Sequence, residues 1–434
     1  MLTLRLTRAA HPAVHLRRAL VTAASAGTGF LLLCTLGYAL SHPDDASTAA
    51  LLRLAWCLTP LAATVYLAVA VARTDPGTRP KPGLAAIGLG PGRLMAVSAV
   101  TTALSCALGS LLALLVFLHL RGDLTGTPSN GTAQQFLAVG RSLPLPGALT
   151  LLALVPVSAS LTVALLLPRR GRPLAAGRAF GRFGAYGRPD VRESFGAYGR
   201  FGARRRGPRA DEAPDGTPPA GQADGPHDPA DPRSAQAGLP WGITTLAAGL
   251  AVESYAGRAA DGSALPLPGG LAGGAPAVLL GWMLTAVGLA LAGPGLTQLC
   301  GRLLQTARPG AMRLLAGRVL MAEAHRIGRP LGVVCAVASG AWAMAVLYDP
   351  AKPAFGPLTV LGALLVTGCA VATLGTAAVE ARQSRVGTTA ALVRLGAPTA
   401  TLRGAAAVRA GALLALFGPL TLIVAELAAL PLAS

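Results

Sequence analysis

Apolar residues in this chain come in runs of 20 or more, separated by stretches that gather arginine, glycine and proline. A bilayer core about 30 Å thick is crossed by roughly 20 residues in a helix. Only helices and closed barrels satisfy their backbone polar groups there, and these runs lack the strict alternation of barrel strands. The pattern predicts nine spans, near residues 19–40, 51–72, 94–119, 148–168, 239–255, 273–296, 330–348, 357–379 and 404–431. The fifth is the weakest, being short and holding Glu253. The expected fold is an all-α polytopic membrane protein of about nine transmembrane helices. A composition 53% hydrophobic and only 13% charged, with a mean hydropathy of +0.55, fits that class.

Two segments between spans match each other. Residues 79–97 run RPKPGLAAIGLGPGRLMAV and residues 385–403 run RVGTTAALVRLGAPTATLR. Setting Arg79 against Arg385 aligns Ala85 with Ala391, Leu89 with Leu395 and Gly90 with Gly396, with Ile87 opposite Val393. Each copy joins two apolar runs, which suggests a duplicated membrane protein with a matching short structure on one side of the bilayer.

Charge orients the spans. With the N-terminus inside, 31 basic residues fall on inner segments, and Arg121, Arg141, Arg258 and Lys352 fall outside. Long segments weigh little in this rule. Leaving out 169–238, which carries thirteen of the arginines, 18 inner residues still stand against 4 outer ones. The net charge of +19 therefore reflects topology and one basic segment, not nucleic-acid binding. Arginines ahead of the first apolar run resemble the start of a secretory signal, but a run of 22 residues is longer than a signal's apolar region, so a retained span is expected.

Residues 169–238 break the apolar pattern. FGAYGR occurs twice, at 183–188 and 195–200; arginines crowd 169–209, and 210–232 is acidic and rich in proline. Such composition buries too little apolar surface to offset its ordering entropy, so a disordered cytoplasmic linker is expected. Its Phe/Tyr-Gly-Arg texture also suits RNA or acidic lipid, with an inert tether the simpler reading. The chain then divides into a four-span unit (1–168), the linker (169–238), two connecting spans (239–296) and a three-span unit (297–434). Residues 309–330 are expected to lie as a helix on the inner surface, with Met312, Leu315, Val319 and Ala322 on one face and Arg326 interrupting it.

The search for chemistry returns absences. A P-loop needs Gly-Lys-Ser/Thr, and the two lysines here, Lys81 and Lys352, are each followed by proline. No HExxH or GxSxG occurs, and the six histidines are scattered, so no catalytic, cofactor or metal site is assigned. Six cysteines without CxxC spacing read as small packing residues. Arg53, Glu253 and Glu426 are placed near outer span ends, and Arg409 within snorkelling reach of the inner surface. No charge at the mid-plane argues against an ion pathway. Thirty-five arginines against two lysines indicate a high-GC genome, hence a bacterial plasma membrane.

Segments Arg79 to Arg93, with LAAIGLGPGR, and Arg382 to Arg403, with RQSRVGTTAALVRLGAPTATLR, resemble the FtsX/MacB-type permease family of ABC transporters. RLLAGRVLMAEAHRIGRP (313–330) is similar to the segment that introduces the family's second repeat. The resemblance covers most of the chain outside 169–238. It implies two parallel FtsX-like repeats and a non-catalytic subunit that pairs with itself or a sister permease. It also implies a separate cytoplasmic P-loop ATPase docked on the inner loops, moving or extracting amphiphilic cargo or transmitting motion across the membrane. On that basis Arg79, Leu89, Gly90, Arg93, Arg385, Arg394, Leu395 and Gly396 are the expected coupling residues; a glycine after leucine permits a tight turn. Two departures stand out: no large outer domain is present, and the second repeat counts one span short, which would leave the C-terminus outside. An ion-coupled secondary transporter and a membrane scaffold recruiting partners through the Arg-rich segment are the alternatives.

Overall fold

The computed structural model describes residues 12–42, 53–74, 91–124, 134–166, 232–258, 276–306, 310–346 and 356–433. Apart from turns, these are helical, and no strand occurs among them. We number the long helices α1 (Pro12–Ser41), α2 (Leu58–Thr74), α3 (Pro91–Arg121), α4 (Leu145–Leu166), α5 (Pro232–Arg258), α6 (Pro276–Thr306), α7 (Ala311–Val346), α8 (Pro357–Arg394) and α9 (Thr399–Ala433). Each of the nine predicted spans falls on one of them.

By length and composition, eight of the nine can cross a membrane; α5, the weakest span in the sequence, does not meet the apolarity needed. It nevertheless lies antiparallel along α6: Gly242 meets Ala292, Leu246 meets Gly288, Gly249 meets Thr285, and Glu253 meets Gly281. The partner atoms at these crossings are largely backbone, so the two helices touch with almost no side chain between them. α5 also begins at Pro232, which moves the end of the expected linker seven residues toward the N-terminus. The rest of that linker lies outside the described residues.

Close approach recurs between α6 and α7. Gly293 faces the carbonyl of Gly328, Gly328 faces the backbone of Pro294, and Gly332 faces Leu289. Without a hydrophobic drive inside lipid, such small-residue contacts and interhelical hydroxyl bonds hold helices together. The first half uses the bonds. Ser25 Oγ donates to the Cys106 carbonyl at 2.8 Å, Ser110 Oγ to the Leu152 carbonyl at 3.1 Å, and Thr28 and Thr64 share a hydroxyl bond of 2.8 Å.

α1 and α3 run parallel, with Ser25 beside Cys106 and Phe30 edge-on to Phe117 at 6.3 Å. α7 and α9 also run parallel, with Met312 against Gly404 and Trp342 Nε1 donating to Glu426 Oε1 at 3.2 Å. α8 does not stay with its own half. Cys369 belongs to the buried cluster that holds Leu31, Leu61 and Leu67, and Leu365 packs over Gly27. All six cysteines are free and buried, as packing residues should be.

Two expectations for the inner side are corrected. Residues 311–330 are not a separate surface helix but the first turns of α7, which continues through Pro330. The membrane tolerates that proline because neighbouring groups can satisfy the freed carbonyl. The buried face is Ala316, Leu320, Glu323 and Ala324, rotated from the expected Met312, Leu315, Val319 and Ala322, because Gly317 and Met321 pack on Gly301 of α6.

Candidate functional site

Of the expected coupling residues, Arg79, Leu89 and Gly90 lie outside the described residues, and Arg93 stands in the first turn of α3. The second copy is fully described, and it is mostly not a loop. α8 continues unbroken from Pro357 to Arg394, 38 residues or about 57 Å of helix, nearly twice the bilayer core. No proline interrupts residues 358–397, whereas the first copy carries Pro80 and Pro82. Hydroxyls of Ser384, Thr388 and Thr389 bond back to carbonyls one turn earlier and keep these residues compatible with the helix.

The helix stops in a Schellman motif. Gly396 N–H donates to the Val393 carbonyl and Ala397 N–H to the Leu392 carbonyl, each at 3.0 Å, with Gly396 at φ +87°. Only glycine takes that conformation without a Cβ penalty. Pro398 follows and α9 starts at Thr399, so the tip is a turn of four residues between two long helices. Leu395 crowns it with 84% of its surface exposed, and Arg394 is exposed beside it.

Arg385 anchors the stem of this hairpin. Its Nε lies 2.5 Å from Glu323 Oε1 on α7 and 3.0 Å from the Ala381 carbonyl. Glu323 is buried, and Arg326 and Arg409 also lie within its electrostatic reach. One carboxylate thus gathers guanidiniums from α7, α8 and α9 where the three helices meet. Arg385 is among the expected coupling residues, and Glu323 is not. Its sequence signal is one acid among four arginines between 313 and 329, hidden by the expectation of a surface helix there.

Other charged residues differ from expectation in their surroundings. Glu253 is 1% exposed and accepts a 3.0 Å bond from Thr285 Oγ1, and its Oε2 has no hydrogen-bond partner among the described residues. Arg121, counted as an outer-loop cation, is buried: it pairs with Asp123 at 3.1 Å and bonds the Arg141 carbonyl, closing the loop after α3. Arg53 lies over the Tyr38 ring at 3.5 Å. Among the described residues no group of His, Cys, Asp or Glu could hold a metal ion.

The fold defines the class: a multi-pass α-helical membrane protein. No protein-family model, curated protein or solved structure matches the chain.

Proposed function

We propose that the chain is the permease subunit of an ABC-type transporter, a non-catalytic membrane component driven by a separate cytoplasmic ATPase through the hairpin 385–403. The observation that carries this reading is the hairpin itself. It is a rigid stem extending well beyond a span's length, capped by a glycine turn, with an exposed leucine at its tip and an ion pair tying its base to α7. A solvated leucine flanked by arginine is a surface for a protein partner, and a continuous helix carries a push at the tip into the membrane.

A correspondence in spacing between the two halves supports this reading. The 306-residue separation of Arg79 and Arg385 carries the end of α1, Ser41, to 347, against the observed end of α7 at Val346. It carries the start of α3, Pro91, to 397, against the observed start of α9 at Thr399. The parallel packing of α1 with α3 and of α7 with α9 follows the same correspondence. We take α5 as a ninth span because it matches α6 closely over residues 242–253. The N-terminus and the hairpin then face the cytoplasm of a bacterial plasma membrane, and the chain works as a homodimer or beside a sister permease. Its cargo is an amphiphile, or its output is a transmembrane signal. Co-expression with a P-loop ATPase tests this: crosslinks from position 395 to the ATPase support it, and ATP hydrolysis by the purified chain alone overturns it.

The ion-coupled transporter keeps one observation in its favour, the buried Glu253, whose Oε2 has no hydrogen-bond partner among the described residues. Transport that collapses with the ion gradient while ATP is held constant would select it.

A further inference from the structure

The base of the hairpin carries more positive charge than its own acid can balance. Arg326 of α7, Arg385 of α8 and Arg409 of α9 surround one carboxylate, Glu323, which leaves a net charge of +2. Among the described residues the only ion pair in this group joins Arg385 to Glu323. Arg326 and Arg409 are part-exposed and make no hydrogen bond to any described residue, although each guanidinium carries five N–H donors. The cluster sits where the hairpin opens. From the turn at Gly396 the two legs part: α8 and α9 each pack along α7 and barely touch one another. Arg385 lies ten residues before Leu395 and Arg409 ten residues after Thr399, so both stand about 15 Å above the turn, one on each leg.

An excess of +2 between two helices favours an anion, and its height selects which kind. A core of about 30 Å takes α8 from Pro357 to near residue 377, and the headgroup layer occupies the next several ångströms. The cluster lies at the lower edge of that layer, and long arginine side chains reach up to the phosphates from there. Two guanidiniums suit the oxygens of one phosphate, and basic pockets between helices on the cytoplasmic side are a known way to hold such headgroups. Toward the core the legs turn apolar, with Val379 on α8 and Ala410 and Leu414 on α9 exposed, a surface for acyl chains. The cluster is also private to the second half. At the positions 306 residues earlier, Arg17 stands for Glu323, Leu20 for Arg326 and Ala103 for Arg409. A pattern shared by the two halves therefore does not account for it.

We propose that the gap between the hairpin legs binds the phosphate of an anionic lipid of the inner leaflet, held by Arg326 and Arg409 and bridging α8 and α9 across α7. The site needs the chain to be embedded in a membrane and does not rest on coupling to an ATPase.

The full chain in nanodiscs tests this, with phosphatidylglycerol retention followed by native mass spectrometry and diacylglycerol as a phosphate-free comparison. Phosphatidylglycerol should stay with the chain, and diacylglycerol should not. Arg409→Gln should weaken retention about tenfold, the loss of one charge-assisted contact. Arg318→Gln removes the same charge at an exposed position of α7 outside the cluster and should leave retention unchanged. Arg326→Gln takes a donor from the other side of the gap; it should weaken retention as well, and it decides the matter if Arg409→Gln does not fold. Displacement by millimolar inorganic phosphate would identify a free phosphate as the ligand, and resistance to it a lipid; either sustains the phosphate site. Equal retention of diacylglycerol, wild-type retention by Arg409→Gln and Arg326→Gln, or an equal loss in Arg318→Gln would overturn it.

Discussion

Glu323 on α7 and Arg385 on α8 meet at 2.5 Å, which fixes the base of the inner hairpin to a helix that begins 74 residues earlier, at Ala311. The carboxylate is nearly enclosed and the guanidinium is about a quarter exposed, so removing either partner strands a charge in a half-dry site. Glu323→Ala should lower unfolding stability by about 1–3 kcal/mol, the range for bonds to charged groups. Arg385→Ala should do less, because Arg326 and Arg409 remain near the acid. A double-mutant cycle on detergent-solubilised protein checks the coupling; additive effects would mean the pair does not hold the stem.

Leu395 is 84% exposed, so Leu395→Asp should leave the melting temperature unchanged. On the proposed reading it should also lower ATPase stimulation by the permease. A variant that melts earlier yet still couples would separate the tip from the function assigned to it.

Gly396 is a different case, since open space surrounds it and only its backbone angle is special. Gly396→Ala should cost about 1 kcal/mol and Gly396→Asn less, because asparagine tolerates the left-handed region better. Equal losses in the two melting curves would point to a cause other than backbone conformation.

Between α6 and α7 the limit is steric. A Cβ at Gly332 would run into the Leu289 carbonyl and one at Gly328 into Pro294, backbone that cannot rotate aside. Gly332→Val should therefore destabilise by about 1–3 kcal/mol or more. Gly340→Val, on the same helix with open space at its Cβ, should be tolerated. Comparable yields of folded protein for both would refute the close packing.

Topology is open to cysteine labelling, because all six native thiols are buried. Single cysteines at Ser47, Ser194, Ser263 and Leu395 should label from the outside, inside, outside and inside. If Ser263→Cys labels from the same side as Ser194→Cys, α5 does not cross.

The apolar runs made the helices legible, because length and hydrophobicity alone set a span. Where the helices stop was less legible. The surface helix expected at 309–330 and the loop expected at 385–403 both proved to be extensions of spans, since nothing between Ala311 and Val346 or between Pro357 and Arg394 ends a helix except Pro330, which the membrane tolerates. The turn at Gly396 was visible because glycine after leucine has a specific conformational meaning. Glu323 was not, since its role depends on α8 and α9 arriving beside it, and pairings between distant helices leave no periodic trace.

The placement of α8 also matters for how the protein is made. Cys369 and Leu365 complete a core whose other members, Leu31, Leu61 and Leu67, leave the ribosome some 300 residues earlier. Until then α1 to α4 wait in the bilayer with an open seam. At about 5–20 residues per second that wait is tens of seconds, long enough for quality-control proteases and insertion factors to meet an unfinished first half.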